Sequence, residues 1–138
     1  MLPKWHILIG FVVSYLLVYF SFVSLIAGAV IFAASVLIDF DHYLLYVIRT
    51  GNWNLISAYR KFKRLSLRWI SLSVSERKKF KRNLFIFHGI ECWLILAALS
   101  FFSPVFAWIL AGMGIHLLAD WADMIFNNEP LYQKLSII

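Results

Sequence analysis

The sequence predicts an all-α integral membrane protein: four short transmembrane helices, with an amphipathic interfacial helix between spans two and three. Two observations carry the prediction. First, the 138 residues are 62% hydrophobic and only 14% charged, against roughly 45–50% apolar and about 25% charged in a soluble domain. So few charges cannot cover the surface of a soluble protein of this size, and the mean hydropathy is +0.80. Second, eleven of the 13 basic residues lie between Arg49 and Arg82, so this segment carries +10 and the remainder of the chain −4. An acidic, hydrophobic body with one basic connection is the pattern of a membrane protein with a polybasic loop. Disordered chains, disulfide scaffolds and ordinary cytosolic enzymes are excluded by composition. Cys92 is the lone cysteine, so the redox compartment is not readable from it.

The elements follow in order within a single membrane domain, residues 1–138. Trp5 to Ile38 is interrupted by one histidine and no charge. It is too long for one span of about 20 residues and short for two. A turn at Ser21-Phe22-Val23-Ser24 divides it into helices at about 5–20 and 25–38. The second of these is only about 20 Å long and is expected to end inside the headgroup boundary. The basic segment 49–82 follows. Within it, Leu55, Tyr59, Phe62, Leu65, Trp69 and Leu72 recur at helical steps, with Arg60, Lys61, Arg64 and Arg68 opposite. A helix lying in the headgroup plane has this pattern; a soluble amphipathic helix packed on the bundle is the alternative. A juxtamembrane polybasic stretch accounts for the high pI, so nucleic acid is not the expected partner. Ser73-Val74-Ser75-Glu76 matches a capping box and opens the third helix. The third span is placed at 84–102. Ser103-Pro104 breaks it, because proline cannot continue the hydrogen-bond ladder. The fourth span is placed at 105–126. No signal-peptide cleavage pattern is present. Trp5, Trp53, Trp69 and Trp121 read as an interfacial aromatic belt.

Four antiparallel spans with a cytoplasmic basic loop put both termini in the cytoplasm. All four histidines (His6, His42, His88, His116) and five of the seven acids then fall in the cytoplasmic half. The acids are Asp39, Asp41, Glu91, Asp120 and Asp123. His88 and Glu91 share one helical face, and His116, Asp120 and Asp123 form a single stripe. Gly10 and Gly112 lie one turn from His6 and His116 and permit close helix contact. Buried carboxylates without a lysine or arginine among them require protonation or a cation. Imidazole and carboxylate at helical spacing suit Zn, Fe or Mn, and the surplus of ligands allows one or two divalent ions. The expected metal ligands are His6, Asp39, Asp41, His42, His88, Glu91, His116 and Asp120, with Glu91 and Asp123 as proton-handling residues. Polar residues in the opposite half are serines, which argues against a transport path.

These motifs resemble a family. An N-terminal H-x-x-x-G (His6, Gly10), a D-x-D-H closing the second helix (Asp39, Asp41, His42), a histidine opening the third (His88) and H-L-x-x-D in the last (His116, Asp120) resemble the YdjM-like membrane-bound metal-dependent hydrolases. The resemblance covers nearly the whole chain except the basic insert. Ile38 stands where the family has proline, and Glu91 stands near the position of a second histidine. The resemblance implies hydrolysis of a lipid-like or phosphoester substrate by a zinc-type centre at the cytoplasmic leaflet of a bacterial or archaeal membrane. Alternatives are a di-metal redox enzyme and a non-catalytic metal-binding, transport or scaffold subunit. Anionic lipid is the expected partner of the basic segment, and an oligomer is allowed.

Overall fold

The structure is a computed structural model that describes residues 3–77, 87 and 89–127. Among these residues there are helices and turns and no strand. The elements are α1 (Pro3–Tyr19), α2 (Leu25–Leu37), α3 (Phe40–Thr50), α4 (Leu55–Ser71), α5 (Val74–Arg77), α6 (Ile90–Ser100) and α7 (Pro104–Phe126). Local chemistry sets their ends. Helix α1 closes in a Schellman motif. Ser21 adopts φ 60°, while the Phe22 amide donates to the Leu17 carbonyl and the Ser21 amide to Val18, both over 2.9 Å. Ser24 caps α2 by accepting from the Ala27 amide at 3.2 Å. Asn54 caps α4 by accepting from Ser57 at 3.0 Å. Ser103 caps α7, with Pro104 in its first turn, where its missing N–H costs nothing. Gly51 at φ 65° ends α3, its amide bonded to the Val47 carbonyl at 2.8 Å.

Helix α2 is the centre of the packing. It lies most extensively against α7 and next against α1, and α7 also meets α1 and α6. Close approach depends on Gly112. A Cβ there would collide with the carbonyl of Ile31 and stand 2.7 Å from the Ala34 Cβ. The buried residues are mixed in character. Ala27, Ile31, Ile38, Met113, Ala119 and Met124 are joined by His6, Ser14, Ser35, Asp41, His116 and Asp120. The four largest fully enclosed side chains are Ile31, His116, Asp120 and Ser35, so the tightest part of the interior is largely polar.

The second apolar helix, expected at about 25–38, is α2 (Leu25–Leu37), and α3, which was not expected, follows directly. Apart from a two-residue turn at Ile38-Asp39 the helical path runs on, and Leu25–Thr50 is a 26-residue apolar stretch. It continues because Phe40, Leu44 and Ile48 keep apolar side chains outward while Asp41, Tyr46 and Val47 turn inward. Leu25–Thr50 and Pro104–Phe126 are each long and apolar enough to cross a membrane. A third of the tested window in each is buried. Lys4–Tyr19 and Ile90–Ser100 are shorter apolar helices.

The expected amphipathic helix is present as α4, and it packs on α3. Ala58 is buried against Tyr46 and Val47, with Tyr43 and Phe62 alongside. Part of the stripe read as membrane-facing, Phe62 above all, is therefore turned toward α3. The capping box is also present. Ser73 accepts from the Glu76 amide at 3.4 Å, and the Glu76 carboxylate accepts from the Ser73 amide at 2.8 Å. The Ser73 hydroxyl, and after it the Ser73 amide, donate to the fully exposed Glu76 carboxylate and hold it below its ordinary pKa. The third span, expected at 84–102, is helical over Ile90–Ser100; residues 84–86 and His88 lie outside the described residues.

Candidate metal centre

Helices α1, α2–α3 and α7 bring four ionisable residues to one buried point. His6 comes from the second turn of α1 and Asp39 from the junction of α2 and α3. His116 and Asp120 lie one turn apart on α7. His6 is 3% exposed, and His116 and Asp120 are each 1% exposed. His6, Asp39 and His116 each offer a ligand atom within 4.8 Å of the other two. His6 Nε2 lies 3.3 Å from Asp120 Oδ1. His116 Nε2 lies 3.5 Å from both Asp120 Oδ2 and Asp39 Oδ1. The imidazoles of His6 and His116 stack at 3.8 Å between centroids and 14° between planes.

Proton bookkeeping gives this arrangement its meaning. His116 Nδ1 is 2.8 Å from the Ser35 carbonyl. A carbonyl only accepts, so Nδ1 carries the proton. In the neutral ring Nε2 is then a lone pair, and it faces two carboxylates that can also only accept. Something must lie between them: a proton, on the ring or on a carboxyl, or a metal ion.

The distances fit a metal ion. A charge-assisted N–H···O bond is about 2.7–2.9 Å long, shorter than any of these three N···O separations. Two ligands each about 2.1 Å from a tetrahedral ion stand about 3.4 Å apart, the spacing found here. The Nδ1 bond to a backbone carbonyl is the usual way a ligating histidine is oriented. No thiolate takes part, and the donors are imidazole and carboxylate.

Asp41 and His42 border this group. His42 Nε2 is 3.3 Å from Asp39 Oδ1 and 3.9 Å from Asp41 Oδ1. Asp39 Oδ1 is thus shared between His42 on one side and His116 on the other. Asp41 Oδ2 accepts from the Phe87 amide at 3.2 Å, which draws the segment before His88 to the site. His88 itself is outside the described residues. Glu91 and Asp123 do not join the group. Glu91 is half-buried in the first turn of α6, with one carboxylate oxygen enclosed and without a hydrogen-bond partner among the described residues. Asp123 is half-buried one turn past Asp120, and its backbone carbonyl accepts from the Asn127 side chain at 2.8 Å.

Ser35 is the residue that sequence reasoning missed. Its contribution is a backbone carbonyl, which leaves no residue-type signature. Its hydroxyl donates back to the Phe32 carbonyl at 2.8 Å. The available signal was its place one turn beyond Ile31, on the face of α2 that begins with Gly28. Comparison of the chain with protein-family models, with curated proteins and with solved structures found no match.

Proposed function

We propose that this chain is a membrane-embedded, metal-dependent hydrolase acting on a lipid-like phosphoester at the cytoplasmic leaflet. The observation that carries the reading is the grouping of ligand atoms of His6, Asp39 and His116 within 4.8 Å of one another, with His116 Nε2 3.5 Å from Asp39 Oδ1 and its ring oriented by the Ser35 carbonyl. Three of these residues hold one divalent ion, with zinc fitting the donors best, and leave a position open for water or substrate. Such an ion supplies a water that ionises near neutral pH and an electrophile for the phosphoryl oxygen. Asp120 orients both imidazoles. Asp41 and His42 shape the adjoining flank and extend the donor set toward a second ion. Glu91 and Asp123, which stand apart from these donors, are proposed as the proton-handling residues.

The membrane setting rests on exposed apolar surface. Phe11, Tyr15 and Tyr19 on α1, Leu94 and Ile95 on α6, and Leu118 and Ile125 on α7 are all exposed. No water-soluble packing covers them, and lipid does. In the proposed topology α1, α2–α3, α6 and α7 are four spans, with the basic α4 in the cytoplasm by the positive-inside rule. Leu25–Thr50, at about 39 Å, exceeds the roughly 30 Å hydrocarbon core. Asp39 lies about 21 Å along it by the same rise, so the site belongs at membrane depth and a lipid-borne linkage can reach it. The proposed relation to the YdjM-like hydrolases rests on the motif order described above.

The test is elemental analysis of purified protein beside an Asp39→Asn, Asp120→Asn double variant. One or two equivalents of zinc, manganese or iron in the wild type, lost in the variant, are expected. Wild-type protein that stays metal-free after metal is added back and excess removed would overturn the metal reading. Metal-loaded protein that releases no phosphate product from a phospholipid or prenyl-phosphate panel would overturn the hydrolase reading alone.

A further inference from the structure

Helix α4 has three faces, and only one is accounted for by the fold. Ala58 and Phe62 point to the α3 side, where Ala58 is buried and Phe62 meets Tyr46 and His42. A second strip, Ile56, Tyr59 and Leu67 with Lys63 between the last two, follows at helical spacing and stays exposed, Ile56 at 62% and Leu67 at 61%. A third strip, Arg60, Arg64 and Arg68, runs beside it at steps of four and is also exposed. A helix packed on a soluble body has no use for an apolar strip on its outer side. A helix seated in a headgroup layer needs both, with apolar side chains reaching toward the acyl boundary and cations level with the phosphates. The only acid between Arg49 and Arg82 is Glu76, beyond the C-terminus of α4, so the helix itself is purely cationic in its charges.

We infer that the outer surface of α4 is a docking face for an anionic phospholipid bilayer, its arginine strip paired with headgroup phosphates. The inference rests on the membrane setting proposed above and goes further in assigning the lipid class and the residues. It also places that lipid beside the candidate metal centre. Phe62 meets the His42 ring edge-on at 5.8 Å, and His42 Nε2 is 3.3 Å from Asp39. Docking of α4 therefore holds an anionic lipid pool next to the flank of the site formed by Asp39, Asp41 and His42.

The test uses the full chain in lipid nanodiscs, with amide hydrogen exchange read across Leu55–Ser71. In discs of phosphatidylcholine with about a third phosphatidylglycerol, exchange should slow several-fold relative to phosphatidylcholine alone. The slowing should vanish at high salt, since exposed charge pairs are screened. It should also vanish in an Arg60→Gln, Arg64→Gln, Arg68→Gln variant whose metal content matches wild type. Equal exchange in the two discs for the wild type overturns the inference, whatever the variant does. Slowing brought by a short oligonucleotide in phosphatidylcholine discs, and not by phosphatidylglycerol, overturns it in favour of nucleic acid. Metal analysis of the same samples reads the centre separately, so failure of docking and failure of the metal site are distinguishable.

Discussion

His116 donates its Nδ1–H to the backbone carbonyl of Ser35 over 2.8 Å, across 81 residues of chain. That bond does two things. It closes the α2–α7 interface at the level where Gly112 lets the backbones approach, and it commits the other ring nitrogen to the carboxylates of Asp39 and Asp120. Packing and chemistry are thus set by one contact. The polar residues form part of the tightest packing of the bundle, and small residues on the facing helices make room for them.

A ranked loss of metal follows from this geometry. His116→Ala removes a proposed ligand that lies 3.5 Å from two carboxylates and leaves the Ser35 carbonyl buried without its donor, so metal retention should be abolished. The orphaned carbonyl should add about 1–3 kcal/mol of destabilisation. His42→Ala removes a quarter-exposed ring that touches the ligand Asp39 from outside. Its effect should be that of an outer partner, about 10–100-fold in affinity. Chelator competition on the two variants reads the ranking. Equal losses would show that His42 is a ligand of the same ion.

The glycines of α7 separate packing from helix propensity. A Cβ at Gly112 meets the Ile31 carbonyl and lies 3.0 Å from the Ser35 amide nitrogen, all on α2 and mostly backbone that cannot step aside. Gly112→Ala should cost about 1–3 kcal/mol, the usual penalty of overpacking, and lower metal affinity by displacing Ser35 from His116. At Gly114 an added Cβ meets only the Trp93 ring, at 3.9 Å. Gly114→Ala should be neutral, or stabilising by about 0.5–1 kcal/mol through the unfolded chain. Thermal melts of the two variants in detergent provide the comparison.

Much of this was legible in the sequence because helical periodicity is legible. The turn at Ser21–Ser24, the break at Ser103-Pro104, the Asn54–Leu72 helix and the convergence of His6, His116 and Asp120 all follow from spacing and topology. The continuation of α2 into α3 was not readable. Three polar residues within Asp39-Phe40-Asp41-His42 look like a solvated helix end, and only their buried partners on α7 and at Phe87 show otherwise. The α3 partner of α4 was hidden for a related reason. An apolar stripe marks a face that must be covered, and its composition does not say whether lipid or protein covers it.

Phe62 is the link between the basic helix and the site. Its ring meets His42 edge-on at 5.8 Å and Tyr46 at 6.4 Å, and it is half-buried. Phe62→Ala should cost roughly 2 kcal/mol, below the 3–5 kcal/mol of a fully enclosed phenylalanine. Amide exchange across α4 should rise while exchange in α7 is unchanged. If α7 rises equally, the α3–α4 hairpin and the α1–α2–α7 body unfold as one unit.

The capping box at Ser73 gives a pH dependence with a definite sign. The Ser73 hydroxyl and amide both donate to the Glu76 carboxylate, at 2.5 and 2.8 Å, and hold its pKa below the ordinary value. A depressed carboxylate stabilises the folded state above its unfolded pKa, and the contribution is lost as pH falls through the folded one. The turn Val74–Arg77 should therefore stay protected near neutral pH and fray on acidification below the usual glutamate range. Protection is read as the exchange of the Glu76 amide corrected for its intrinsic rate. Glu76→Gln keeps a side-chain acceptor and removes the titrating group, so its protection should be lower at neutral pH and flat across the same range. A wild-type profile as flat as the Gln variant's would show that the carboxylate charge does not hold the turn.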